Sequence, residues 1–332
     1  MYWMIAALCL LVTLGVSESD SPPGPVVVVV VGEPGEPQYK ELFQQWSSNW
    51  QEAAERAGKS FHLIGIDSVE VSDKPDVELL NDTLMKLQKK PPQELWLVLI
   101  GHGTFDGEKA KFNLRGPDIA STEISDLIGS ISCRMAIVNC TSSSGPFLGE
   151  LSGEQRVVVT ATQSGFEYNF ARFGGFLSEA IGQASGDLDK DGETSLLEAW
   201  IAASKQTSQY YESKSQLATE HSMLDDNGDG KGTPADWFRG VHLAKTSRDE
   251  SLPDGTLANQ FILVPGTEAE RLSEDSVLER NKLEKQLADL RQRKGDFTEK
   301  EYLDRLETIL IPLAKLYEPL RKEDSSPDSS QE

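Results

Sequence analysis

Val26-Val27-Val28-Val29-Val30-Val31, followed by Gly32-Glu33-Pro34-Gly35, is the stretch that decides the fold. Six successive β-branched apolar residues leave no polar face, so the run predicts a strand covered on both sides, as strands are inside a parallel sheet. Working outward, residues 39–57 have helical composition with apolar positions at Leu42, Phe43, Trp46 and Trp50, and residues 61–66 predict a second strand. A helix over 77–89 leads to the apolar run 95–100, and a helix over 121–128 leads to a fourth run at 135–138, with a fifth at 157–161. Strand alternating with helix in this way predicts an α/β fold: a mainly parallel sheet flanked by helices on both faces. Ligands of such sheets bind beyond the carboxyl ends of the strands.

The 332 residues carry 54 acidic and 32 basic side chains, a net charge of −22. Polyanion binding begins with neutralising phosphates, so the balance excludes a general nucleic-acid binder. Apolar residues at 38%, with 27 glycines, match a globular chain rather than a disordered one. Three cysteines are too few for a disulfide scaffold or a four-cysteine zinc site. The uncharged apolar stretch from Trp3 to Val16 predicts a signal peptide over residues 1–17, cut near Ser17, with residues 18–24 as a linker. Its apolar length, about 14 residues, is short of the roughly 20 a membrane span needs. The expectation is an exported protein, periplasmic or secreted, with no membrane span after cleavage.

Two strand ends carry chemistry. The run 95–100 ends in Gly101-His102-Gly103-Thr104, and the run 135–138 ends in Asn139-Cys140-Thr141-Ser142-Ser143-Ser144-Gly145. Gly32 to Gly35 has neither the spacing nor the lysine of a nucleotide loop. Cys133 and Cys140 are separated by extended chain at about 3.3 Å per residue, far beyond the ~7 Å a disulfide allows. Cys140, a free thiol at the mouth of a sheet, therefore suggests reactivity, whereas Cys133 suggests packing. His62 lies in an apolar strand, His242 in an expected helix, and His221 beside an acidic loop. His102 sits between two glycines at the end of a strand neighbouring that of Cys140. A cysteine nucleophile needs an imidazole to move protons and N–H groups aimed at an oxyanion, which Gly103 and Cys140 could supply.

Apolar strand, His-Gly, then a second apolar strand ending in Cys resembles the caspase-like cysteine peptidases, with details similar to the legumain family (peptidase family C13) and its bacterial relatives. The resemblance covers roughly residues 25–264. It runs through Leu97 to Thr104, Phe112-Asn113-Leu114-Arg115-Gly116-Pro117-Asp118-Ile119, Asn139 to Phe147, Thr160 to Gly165 and Leu224 to Gly230. It implies a caspase-like fold and a cysteine endopeptidase acting through a Cys-His dyad and a thioester acyl-enzyme. Cys140 is then the nucleophile, His102 the acid/base and Gly103 an oxyanion donor, while residues 161–168 border the substrate pocket with Ser164 as a specificity candidate. Asn139 precedes the cysteine where many members have Ala or Glu. The alternative is an inactive relative serving as a calcium-stabilised protein-binding module. A transamidase is a third possibility, because an amine can intercept the acyl-enzyme.

Asp187-Leu-Asp189-Lys-Asp191-Gly192-Glu193-Thr-Ser195-Leu-Leu-Glu198 matches the twelve-residue EF-hand loop, with Asp187, Asp189, Asp191, Glu193, Ser195 and Glu198 as candidate ligands for a structural calcium ion. A second acidic loop, residues 225–236, has the same start but ends in Asp, with Pro234 intervening; it is either a second site or a hydrogen-bonded turn. From residue 267 the composition shifts to Glu, Lys, Arg, Leu and Gln. Stripes at Leu283, Leu287 and Leu290, and at Leu303, Leu306, Leu310 and Leu313, predict a helical hairpin over 267–322 that docks or self-associates. Thr298 and Glu301 form a capping box for its second arm. Pro312 and Pro319 are expected to bend or end that arm. Residues 323–332 form an acidic tail.

Overall fold

The computed structural model describes residues 23–66, 74–183, 186–245, 254–267 and 272–324. The signal peptide, most of the linker and nearly all of the tail lie outside them; Asp324 is the last residue of a helix.

The valine run forms β1 (Val26–Val31), buried along its whole length. At roughly 1.5–3 kcal/mol per fully buried valine-sized side chain, this strand is a principal source of the driving force. It pairs in parallel with β2 (Ser60–Ile64) on one side and β3 (Glu94–Ile100) on the other. β3 pairs with β7 (Arg134–Asn139), and β7 with β8 (Arg156–Thr160), all parallel. Two antiparallel edge strands, β9 (Met223–Asp225) and β10 (Thr233–Pro234), complete a seven-stranded sheet of order β10-β9-β8-β7-β3-β1-β2. β4 (Gly103–Phe105), β5 (Ala110–Phe112) and β6 (Ile119–Ala120) form a small antiparallel sheet directly after His102.

Strand side chains alternate, so the sheet has two apolar faces. Val27, Val98, Val138 and Val159 point to one, with Phe43, Trp46 and Trp50 of α1 (Pro37–Arg56), Phe173 and Leu177 of α5 (Phe173–Ala180) and Trp200 of α6 (Leu196–Ser213). Val28, Leu97, Ile137 and Val158 point to the other, with Leu80 and Leu84 of α2 (Asp76–Lys89), Ile124 of α3 (Ser121–Gly129) and Phe147 of α4 (Gly145–Leu151). The expected α/β architecture, a mainly parallel sheet between two helical layers, is what the chain adopts. His242 is in strand β12 (His242–Leu243), paired with β11 (Phe238–Arg239), not in the expected helix. Two residues suffice for that pairing, too few to leave a periodic signal.

The C-terminal hairpin is α7 (Glu274–Gln292) and α8 (Glu299–Asp324), joined by a short 3₁₀ turn. Leu283, Leu287, Leu290 and Ile309 make a small core of their own. Thr298 and Glu301 cap α8 as expected. α8 is continuous through Pro312 and Pro319, so neither proline ends the arm. Each proline forfeits one backbone hydrogen bond; Ile309, Leu313 and Leu316, in the shared core with α7, keep the segment helical around Pro312. The hairpin is tied to the main domain by a buried ion pair, Arg280 Nη1 to Glu193 Oε2 at 2.7 Å.

Candidate active site

β3 and β7 are neighbours in register, Leu99 opposite Asn139, so the chain beyond each strand emerges at one edge. His102 lies two residues past β3 and Cys140 one past β7. The His102 ring is held against Tyr39 and Phe43 of α1 and against Phe170, with centroids 4.9, 5.4 and 5.9 Å away. Its Nε2 lies 3.2 Å from the Pro34 carbonyl oxygen. A carbonyl only accepts, so Nε2 carries the proton and Nδ1 keeps the free lone pair. Burial lowers the His102 pKa, outweighing the Pro34 hydrogen bond and the Glu36 charge, which both raise it. The imidazole is thereby kept neutral and able to accept a proton.

Cys140 continues the alternation of β7 and faces the core together with Val138 and Ala136. It is 1% exposed. α5 sits directly on it: a Cβ on Gly174 would come within 2.5 Å of Cys140 Cβ and 3.0 Å of its Sγ, which is why that helix carries glycine there. Burial, and secondarily the Glu220 carboxylate, push the thiol far above the ordinary cysteine range. Among the described residues no hydrogen bond joins Cys140 to His102. The Cys140 N–H donates to Leu99 O at 2.9 Å, so it belongs to the sheet ladder and not to an oxyanion site. Cys133 is likewise a free thiol, half-buried and raised to about 11 chiefly by desolvation.

The side chain that meets the His-Gly segment is Ser142, which the sequence pattern did not single out. Its Oγ accepts from Gly103 N–H at 3.3 Å and donates to Gly103 O at 3.2 Å. This close approach explains the glycine after His102, where a Cβ would lie 2.3 Å from Ser142 O and 2.7 Å from Thr141 Oγ1. Asn139 Oδ1 accepts from Thr141 N–H at 3.0 Å and from its hydroxyl at 2.7 Å. Ser144 Oγ accepts from Thr162 N–H at 3.1 Å, and Thr162 Oγ1 accepts from Gly145 N–H at 3.0 Å. Ser143 adopts φ +54°, and its N–H donates to Glu167 O at 2.9 Å. The only trace of this turn in the sequence was its run of hydroxyl residues.

The Ser164 region borders the same turn. Ser164 is half-buried and its Oγ accepts from Phe166 N–H at 3.3 Å. Phe166 and Tyr168 are exposed at 72% and 75%. Glu167, paired with His221 Nδ1, closes this loop onto the segment before β9.

In the EF-hand-like loop, carboxylate oxygens of Asp187, Asp189 and Asp191 lie within 4.8 Å of one another. The other three candidates are engaged in hydrogen bonds, Glu198 with the backbone of this same loop. Glu193 accepts from Arg280 and from Gly266 N–H. Ser195 and Glu198 form the capping box of α6, and Glu198 Oε1 accepts from Leu188 N–H at 2.7 Å. In the second loop, Asp225 accepts from Gly228 and Gly230 N–H groups, and Asp226 accepts from those of Gly255 and Ala258. Asp254 closes it through Asp226 N–H and Thr233 Oγ1. Asp254 had no pattern to reveal it, because its partners are about 20 to 30 residues away in sequence.

A cavity of about 720 Å³ lies between the hairpin and residues 238–243 and 254–260, with Asp189 and Asp191 of the acidic loop in its wall. Its histidine, His242, meets Arg291 and not a nucleophile.

No protein-family model matches the chain, and no curated protein sequence matches it. Among solved structures it is similar to the Drosophila initiator caspase Dronc, at 15% identity over 64% of this chain and 82% of that one, with a TM-score of 0.41. Caspase-1 from Spodoptera frugiperda is similar at 8% identity over 63% of this chain and 92% of that one, with a TM-score of 0.40. Among the described residues no helix is long and apolar enough to cross a membrane.

Proposed function

We propose that the chain is an exported endopeptidase that cleaves peptide bonds by acyl transfer at the carboxyl edge of β3 and β7. The observation that carries this is the neutral, Pro34-anchored imidazole of His102 beside Gly103, whose peptide group is hydrogen-bonded to the turn after β7. A base oriented by a third group, an adjacent backbone donor and a turn rich in nucleophilic side chains are the parts such chemistry needs. The similarity of His-Gly and of the strand ending in Cys to legumain-like peptidases supports the same reaction class. In the thiol form of this reading, Cys140 attacks as the thiolate, and it has to leave its seat beneath Gly174 to do so. The apolar leader supports export. Exposed Phe166 and Tyr168 beside the site offer apolar contacts to a peptide substrate. Turnover of a peptide library varied at P1, before and after His102→Ala, tests the proposal: cleavage that survives the substitution unchanged overturns it.

Calcium at Asp187, Asp189 and Asp191 is a second proposal, supported by their convergence and by the oxygen-only chemistry that this ion takes. The ion's place is structural, in the loop that leads into α6. Calorimetry with calcium on the wild type and on Asp189→Asn tests it, and absence of heat in the wild type refutes it. The hairpin's exposed Leu303, Leu310 and Ile311 support self-association through residues 267–322. A monomer by sedimentation at high concentration rejects that.

A further inference from the structure

We propose that the aromatic seat beside His102, filled by Phe170, is a substrate subsite that takes an aromatic side chain adjoining the scissile bond, and that Phe170 holds it in the substrate's place; the proposal rests on the peptidase reading above. Three rings of one helix build the seat. Tyr39, Phe43 and Trp46 follow at helical spacing along α1 and so face the same side. Phe170 lies among them, with ring centroids 4.5 Å from Tyr39, 6.2 Å from Phe43 and 5.9 Å from Trp46, and His102 closes the seat at 5.9 Å. Phe43 and Trp46 are fixed in the main core, whereas Tyr39, His102 and Phe170 are half-buried, so the seat reaches the surface.

The occupant is held by its ring and not by its main chain. Phe170 stands in the connection between β8 and α5, in a stretch that is neither helix nor strand. Its anchors lie on either side. Glu167 accepts from Gln163 N–H and pairs with His221, and its carbonyl accepts from Ser143 N–H. At the other end, Glu220 accepts from the N–H groups of Arg172 and Phe173, at 2.8 and 3.0 Å. Between these anchors, among the described residues, no backbone hydrogen bond involves residues 168–171. A ring on such a stretch can leave its seat without breaking the main-chain hydrogen bonds that shape the site.

Whatever replaces Phe170 has to return the contacts that it loses. The walls of the seat are rings, so an incoming aromatic side chain restores both the stacked and the edge-to-face pairs. An aliphatic side chain restores burial alone, and a carboxylate or primary amide gives up its hydration to apolar faces. Because His102 is one wall, and is the base of the proposed reaction, the residue that supplies the ring adjoins the bond that is cut. Trp46, on which Phe170 stacks, also abuts Cys140: Trp46 Cζ3 and Cys140 Sγ each lie 3.0 Å from where a Gly174 Cβ would stand. A substrate ring at this seat therefore touches the base directly and reaches the thiol through one indole.

The test compares the full chain with Phe170→Ala and Phe170→Leu in two readouts. The first is the melting shift given by N-acetyl-phenylalaninamide, with N-acetyl-asparaginamide as control. The second is turnover of a peptide library varied on both sides of the scissile bond. The phenylalanine amide is expected to raise the melting temperature of Phe170→Ala saturably, and that of the wild type only at higher concentration, because there it first displaces Phe170; the asparagine amide moves neither. Peptides with Phe, Tyr or Trp at one position beside the bond are expected to exceed those with Asn, Asp or Ala by about tenfold or more in kcat/KM. Phe170→Ala raises kcat/KM for those aromatic peptides by about tenfold, since the competing ring is gone. Phe170→Leu lies between the two proteins in both readouts, and carries the test alone where the alanine variant melts below the assay temperature. A wild type that does not respond to the phenylalanine amide shows that Phe170 is a fixed part of the core and overturns the subsite. Cleavage whose preference beside the bond is the same in all three proteins also overturns it, and leaves the peptidase reading intact. Selective binding of the phenylalanine amide by all three, with no peptide cut, overturns the peptidase reading and leaves the seat as a site for aromatic side chains. Neither binding nor cleavage in a cooperatively melting wild type overturns both.

Discussion

Two loops of this protein are rich in polar side chains, and they are built on opposite principles. The turn after β7 is buried and neutral and pairs most of its polar groups, Asn139 with Thr141, Ser142 with Gly103 and Ser144 with Thr162, while Asn139 Nδ2 and Ser143 Oγ have no partner among the described residues. The Asp187 to Glu198 loop places three carboxylates within 4.8 Å of one another with no salt bridge to any of them among the described residues, and passes its fourth acid, Glu193, to an arginine of the hairpin. In the first, each satisfied buried polar group would cost about 1–3 kcal/mol to leave unpaired. In the second, backbone N–H groups of Lys190, Asp191 and Gly192 donate to Asp187, and the clustered like charges make the loop sensitive to pH and to ions. A preformed catalytic edge suits the first kind of construction; a stabilising cation site suits the second.

The comparison is broken most directly at His102. His102→Ala is expected to lower kcat/KM by about 10²- to 10⁴-fold with little change in melting temperature, since the ring is only half-buried. In the wild type, the acid limb of the kcat/KM profile should fall below the ordinary histidine value of about 6.5, because burial favours the neutral form that acts as base. An acid limb above that value contradicts the geometry.

Arg280→Ala probes the charged construction. It leaves Glu193 buried without its partner, at a cost of about 3–5 kcal/mol, read as a large fall in the denaturant midpoint. Activity at temperatures below the new transition should be nearly that of the wild type. A variant as stable as the wild type means that the hairpin is not held through this pair.

Gly103→Ala probes how tightly the neutral construction fits. The new Cβ meets Ser142 O and Thr141 Oγ1 at less than van der Waals distance. Overpacking of this kind costs typically 1–3 kcal/mol, and turnover should drop further than stability, because the displaced atoms belong to the site. Equal turnover in the two proteins shows that the approach of β4 to the turn is slack.

The smallest effect expected is the pH dependence of the acidic loop. Burial, followed by the charges of Asp189, Glu193 and Asp187 against one opposing backbone hydrogen bond, raises Asp191 to about 6. A carboxyl whose folded pKa exceeds its unfolded value binds protons more tightly in the folded state. Its contribution to stability is therefore complete below about pH 4, the unfolded value, and is lost as pH rises through about 6. Asp254, raised to about 7 chiefly by burial, adds a slope of the same sign. Calcium, which binds the ionised loop, should recover part of the loss at neutral pH. Melting curves at pH 4, 6 and 7.5, with calcium or with chelator, read this directly. A midpoint at pH 7.5 that is insensitive to calcium reduces the loop to an acidic turn.

The sequence by itself determined the layers of this protein. Unbroken apolar runs such as Val26–Val31 can be satisfied only where both faces are covered. The helical stripes between them state which faces do the covering, and the capping box at Thr298 marks where α8 begins. It also determined that His102 and the residues after Asn139 meet at one edge, since neighbouring parallel strands end on the same side. Tertiary structure alone decided which side chain of that edge meets the Gly103 peptide. Strand alternation sends Cys140 under α5, while the turn at Ser143 brings Ser142 to Gly103; a pattern of residue types records neither the rotation of a turn nor the helix that lands on it. The same holds for Asp254 and for Arg280 with Glu193, whose partners are distant in sequence, because a long-range contact fixes both residues without making either one periodic.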